Sequence, residues 1–93
     1  LLLTACRGKD AELGMSDSTY VNTLSELKAV ADDPALSETV RGQRRAAVFR
    51  KYGVRGEQLE QAARALAEKP EHAMRLWRAI DTRAMKLGRT PKP

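Results

Sequence analysis

Two short joints limit what this chain can fold into: Lys51-Tyr52-Gly53-Val54 and Glu68-Lys69-Pro70-Glu71. The first has the marks of a helix end, with basic side chains facing the negative end of the helix dipole and a glycine free to take the left-handed conformation that closes a helix. Val54 then stands where an apolar residue packs back across the joint. The second joint restarts the chain in a new direction, because proline suits the first turn of a helix and breaks the interior of one. Three helices are therefore chained through two tight corners between Arg50 and Ile80.

Caps and spacing set the individual helices. Ser16-Asp17-Ser18 offers side-chain oxygens to orphan amides, and Tyr20, Leu24, Leu27 and Ala31 follow at spacings of four, three and four. Asp32-Asp33-Pro34 ends that helix, and because an acid opposes the dipole at a C-terminus, one of the two aspartates is assigned to the turn. Ser37 is the expected N-cap of the second helix, with Glu38 in its first turn. Its stripe is weak: Val40, Ala47, Val48 and Tyr52 share a side, Phe49 lies well round from them, and Arg44 and Lys51 interrupt with stems that can lie along apolar surface. The third helix has Glu57 and Glu60 near its start and Leu59, Ala62, Ala63 and Leu66 on one face. In the fourth, Ala73, Leu76, Trp77, Ile80, Ala84 and Leu87 fall within an arc of about 110°, which makes it the expected core helix with Gly88 as its stop. Trp77 is expected as a core anchor, the alternative being an interface hot spot.

These readings predict an all-α chain, a small bundle of four helices at about 17–32, 37–52, 56–68 and 70–87. The last three are expected to form a compact unit, with the first packed alongside or partly independent. Residues 17–88 make up the helical domain and 89–93 a basic, proline-containing tail expected to be disordered.

Length and composition exclude much chemistry. A chain of 93 residues builds one small core, and a large substrate cleft is not expected in it. The single cysteine rules out an internal disulfide, and no Cys/His cluster has zinc spacing. Neither a phosphate-binding glycine loop nor a membrane-spanning run occurs. His72 is the only histidine and has no nucleophile in any motif with it, Asp32 and Asp33 lack a desolvating pocket, and Asp81 reads as an ion-pair partner for an arginine. No enzyme activity, cofactor or metal is expected.

The net charge of +5 hides an asymmetry: residues 1–40 carry three basic and seven acidic side chains, whereas residues 41–93 carry fourteen and five. Such a basic half attracts anionic surfaces in a salt-dependent way, or is simply solvated. Arg41, Arg44 and Arg45 lie one turn apart on one side of the second helix and form the candidate anionic contact patch. The glycine joint followed by the third helix also has the outline of a helix-turn-helix, with Gln58, Gln61 and Arg64 as base readers. Glu57 and Glu60 face where phosphates would lie and argue against nucleic acid.

The N-terminus carries an address. Leu1-Leu2-Leu3-Thr4-Ala5-Cys6 is an apolar run ending in small residues and a cysteine, and it resembles the lipobox of bacterial lipoproteins. That resemblance implies that residues 1–5 are a signal remnant, that Cys6 is lipidated, and that acyl chains on Cys6 hold the protein to a membrane. Residues 6–16 then read as a flexible tether. Arg7, in place of an aspartate after the cysteine, implies the outer membrane, facing the periplasm, in a cell that has one. The alternative is a cytosolic helical nucleic-acid-binding module starting near Met15.

Taken together, the lipobox, Lys51-Tyr52-Gly53-Val54, Leu59, Lys69-Pro70-Glu71 and the Leu76-Trp77-Ile80 stripe resemble a family of small bacterial lipoproteins classed as a domain of unknown function (number 4296). The match runs over roughly residues 17–87, with Arg64-Ala65-Leu66 where that family often has an aromatic pair. The resemblance implies a lipid-anchored envelope protein without enzyme activity, binding or scaffolding another envelope component.

Overall fold

Helix α1 starts where Ser16, in extended conformation, accepts a hydrogen bond at its side-chain oxygen from the amide of Thr19 at 3.0 Å. The computed structural model describes residues 14–88, and within them four helices follow one another: α1 (Asp17–Asp32), α2 (Glu38–Tyr52), α3 (Gly56–Ala67) and α4 (Pro70–Gly88). The all-α, four-helix architecture expected from the sequence is therefore present. The signal remnant expected at 1–5, residues 6–13 of the tether expected at 6–16, Cys6 among them, and the tail at 89–93 lie outside the described residues, whereas Ser16, at the end of that tether, is held as the cap of α1.

Both corners form as the joints require. Gly53 takes the left-handed conformation (φ 63°), its amide donates to the Arg50 carbonyl, and the amide of Val54 reaches back to Phe49 at 3.0 Å. This pair of bonds satisfies carbonyls that the end of α2 would otherwise leave orphaned. Val54 is buried beyond the corner. At the second corner the amides of Glu68 and Lys69 close the last turn of α3, and Pro70 opens α4 where a missing amide costs nothing. Helix α4 runs through Gly88, the residue expected to stop it.

The connection from α1 to α2 is held differently. Asp32 stays in α1 and pairs with Lys28 at 3.3 Å, while Asp33 supplies the turn, its carboxylate accepting from the amide of Ala35 at 2.9 Å. Ser37 caps α2 by accepting from the amide of Val40.

The packing corrects the expected order of importance. Helix α1 is the centre: α4 lies along it most extensively, α2 packs on another side of it, and α3 packs on α4. Tyr20 of α1 is 1% exposed and shares the core with Val54, Leu59, Ala62, Leu66, Leu76 and Ile80. The alternative that α1 is partly independent fails because Thr23 and Ser25, about 160° apart round the helix, are both fully buried, so α1 is covered on more than one side. Helix α2 is the thin member and buries Val48. In α3 the buried face is Leu59, Ala62 and Leu66, with Ala63 exposed.

Helix α4 buries a narrower strip than its sequence stripe: Leu76, Ile80 and Ala84 are inside, while Trp77 is 50% exposed and Leu87 is also out. Trp77 sits at one edge of the arc, where α1 and α3 no longer cover the helix. Replacement of Gly53 by alanine tests the first corner. A Cβ there meets no atom within 4 Å, so the cost is backbone strain alone, about 1–2 kcal/mol, read as a lower urea midpoint at unchanged slope.

Candidate functional site

The three arginines expected as a contact patch do not act as one. Arg41 turns away from solvent and closes the end of α1. Its Nη1 donates to the carbonyls of Val30 (2.9 Å), Ala31 (3.1 Å) and Asp33 (2.9 Å), and its Nη2 donates to Leu36 (2.8 Å). Helix α1 has no basic residue in its own last turn, so a cation lent by α2 answers the negative end of its dipole. Arg44 and Arg45 remain exposed on the outside of α2.

A polar cluster absent from the sequence reading lies where α1 meets α2 and α4. Glu26 projects from α1 with its side chain only 16% exposed. The Tyr52 hydroxyl donates to it, Lys51 Nζ donates to both carboxylate oxygens at 3.2 and 3.0 Å, and Arg83 of α4 approaches at 3.4 Å. Arg83 also donates to the Ser25 hydroxyl at 2.8 Å, and that hydroxyl donates to the Asn22 carbonyl at 3.0 Å. Burial alone would raise the Glu26 carboxyl, but the hydrogen bonds from Tyr52 and Lys51 and the charges of Lys51 and Arg83 outweigh it and hold it below its ordinary value. The same contact with Glu26 raises Lys51. The Glu26 carboxylate takes donors from both neighbouring helices, while the Lys51 side chain remains 59% exposed, so the cluster is arranged to tie α2 and α4 to α1.

The other candidates are placed as follows. His72 is half-buried and its Nε2 meets the Asp17 carboxylate at 3.0 Å, joining the starts of α4 and α1. Asp81 is exposed. Gln58, one of the residues considered for base reading, is spent on a cap: its Oε1 accepts from the amide of Arg55 at 2.7 Å. Gln61 and Arg64 are exposed beside Glu57 and Glu60. An open groove runs between α1 and α4, with Val21 and Ala79 as its apolar part and Arg78, Thr82, Arg83 and Lys86 along it. Among the described residues no group of three His, Cys, Asp or Glu side chains is placed to hold a metal ion, and no helix is long and apolar enough to cross a membrane.

No family model, curated protein or solved structure matches this chain.

Two measurements separate the roles of these charged groups. Arg41→Lys destabilises by about 1–2 kcal/mol in thermal or urea unfolding, because an ammonium cannot reproduce the guanidinium fork, whereas Arg44→Ala and Arg45→Ala stay within about 0.5 kcal/mol of the parent. For Glu26 the sign follows from its depressed value. Its contribution is complete above the ordinary glutamate pKa and is lost as pH falls through the folded one. Unfolding followed from neutral pH downward shows a loss of stability that starts near pH 5 and is smaller in Glu26→Gln.

Proposed function

We propose that this chain is a bacterial lipoprotein without enzyme activity, lipidated at Cys6, whose helical domain binds or scaffolds another component of the cell envelope. The observation that carries the reading is Leu3-Thr4-Ala5-Cys6 followed by a polar segment and then a folded domain opened by the Ser16 cap. In a lipobox the small residues before the cysteine let a signal peptidase close on the chain; the thiol takes a diacylglyceryl group first, and cleavage then frees the amine for a further acyl chain. Two or more acyl chains anchor a protein stably, at about 0.8 kcal/mol per buried methylene. The resemblance to the lipoprotein family of unknown function supports the same reading through Gly53 and Pro70, which set its two corners.

The domain that would be held at the membrane offers exposed basic side chains. Arg44 and Arg45 are the proposed contact for an anionic partner in the envelope, and Arg41 is excluded from that role because its guanidinium is committed to the carbonyls at the end of α1. Nucleic-acid binding draws no support from α3, where Gln58 is engaged in a cap and acidic side chains stand beside Arg64.

Expression from the complete reading frame in a bacterial cell fed a palmitate analogue tests the anchor. The parent takes up label and Cys6→Ser does not. Equal labelling of the two, at background level, overturns the reading.

A further inference from the structure

The last helix leaves an amphipathic outer surface that the core does not use. Trp77, Met74 and Met85 are 50%, 55% and 52% exposed, and at 100° per residue they fall within an arc of about 80° on one flank of α4. Directly beside them Arg78, Arg75 and Lys86 form a cationic ridge of similar width, all exposed. Arg83 is turned away onto Ser25 and Glu26, so from Met74 to Gly88 this surface carries three basic side chains and one acid, Asp81, which lies inside the apolar arc between Trp77 and Met74.

We propose that this outer surface of α4 lies on an anionic phospholipid leaflet, with Trp77, Met74 and Met85 entering the headgroup boundary and Arg75, Arg78 and Lys86 against the lipid phosphates. A tryptophan with an apolar body and a polar N–H is suited to that boundary, and long basic stems reach its charge while their methylenes remain in the apolar layer. Attraction of each basic side chain to an anionic leaflet adds to the apolar term. A second copy of the chain fits less well. Three side chains along about 16 Å of helix fall far below the roughly 800 Å² per partner of a stable protein interface, and a twofold contact there would bring Arg78 toward its own image. The setting at an envelope membrane rests on the lipoprotein reading, but the contact is a property of α4 and can be measured without lipidation.

Trp77 is the single tryptophan of the chain, so its emission reports this surface directly. The unlipidated 93-residue chain carrying Cys6→Ser is mixed with phosphatidylglycerol-containing vesicles and, separately, with pure phosphatidylcholine vesicles. The expected result is a blue shift and co-sedimentation with the anionic vesicles alone, largely lost at about 1 M salt, where charges are screened within about 3 Å. Partitioning falls about tenfold or more in Arg75→Glu/Arg78→Glu. It also falls in Met74→Ser/Met85→Ser and rises in Asp81→Asn, with helical circular dichroism unchanged in every variant. No shift, equal binding to both vesicle types, or a shift that appears with protein concentration in the absence of lipid overturns the proposal, the last assigning the surface to self-association. Because Cys6 plays no part in this assay, vesicle binding without palmitate labelling keeps the surface and rejects the anchor, and labelling without vesicle binding does the reverse.

Discussion

A carboxylate withdrawn from water between helices has to be answered, and Glu26 is answered from two directions. Lys51 and Tyr52, at the end of α2, meet it from one side, and Arg83 of α4 meets it from the other while also binding the neighbouring Ser25 hydroxyl. Apolar contacts between helices built of alanine and leucine tolerate small slides, because one methyl replaces another at little cost. A carboxylate with three directional donors does not. Sliding α2 by a turn along α1 would strip Lys51 and Tyr52 from Glu26, and sliding α4 would strip Arg83 from Glu26 and Ser25, each at a cost of about 1–3 kcal/mol. The cluster thus sets the register in which the thin apolar face of α2 and the strip of α4 meet α1.

The same logic changes the meaning of the charge asymmetry along the chain. Acidic side chains concentrate before residue 40 and basic ones after it, which in one dimension looks like a surface seeking an anion. In three dimensions part of that excess is internal. Glu26 meets Lys51 and Arg83, and Arg41 covers the carbonyl end of α1. The acidic α1 lies against the basic α2 and α4, and the outer sides of those two helices carry most of the cations left facing outward among the described residues.

What could be read from the sequence was what is local. Ser16 and Ser37 as caps, Gly53 as a left-handed stop and Pro70 as a restart depend on neighbouring backbone, so all four appear where their chemistry places them. Helical periodicity identifies a face but does not say how wide a neighbour will cover it, so Trp77, at the edge of its arc, was expected inside and stands half outside. Arg41 was grouped with Arg44 and Arg45 by spacing, yet its partners are carbonyls eight to eleven positions upstream except for the nearer Leu36, and carbonyls leave no trace in residue types. The central place of α1 was hidden for a related reason. Thr23, Ser25 and Glu26 weaken its apolar pattern, and they are the residues that fill or tie its interfaces. Cys6, which carries the functional reading, gains no geometry from the fold because it lies outside the described residues.

The pairing of the first helix with the last has a consequence for the order of folding. The contacts that join them, His72 to Asp17 and Arg83 to Ser25 and Glu26, span 55 to 58 positions. Most small helical proteins fold quickly because their contacts are local, but here the most extensive interface closes a loop containing two other helices. During synthesis α1 is made before α4 exists, so Tyr20 has no complete core to enter until the chain beyond Ile80 has emerged. Until then the nascent chain displays that aromatic side chain beside Leu24 and Leu27. A growing chain of this design therefore keeps the inner surface of its first helix exposed until its last helix has been made.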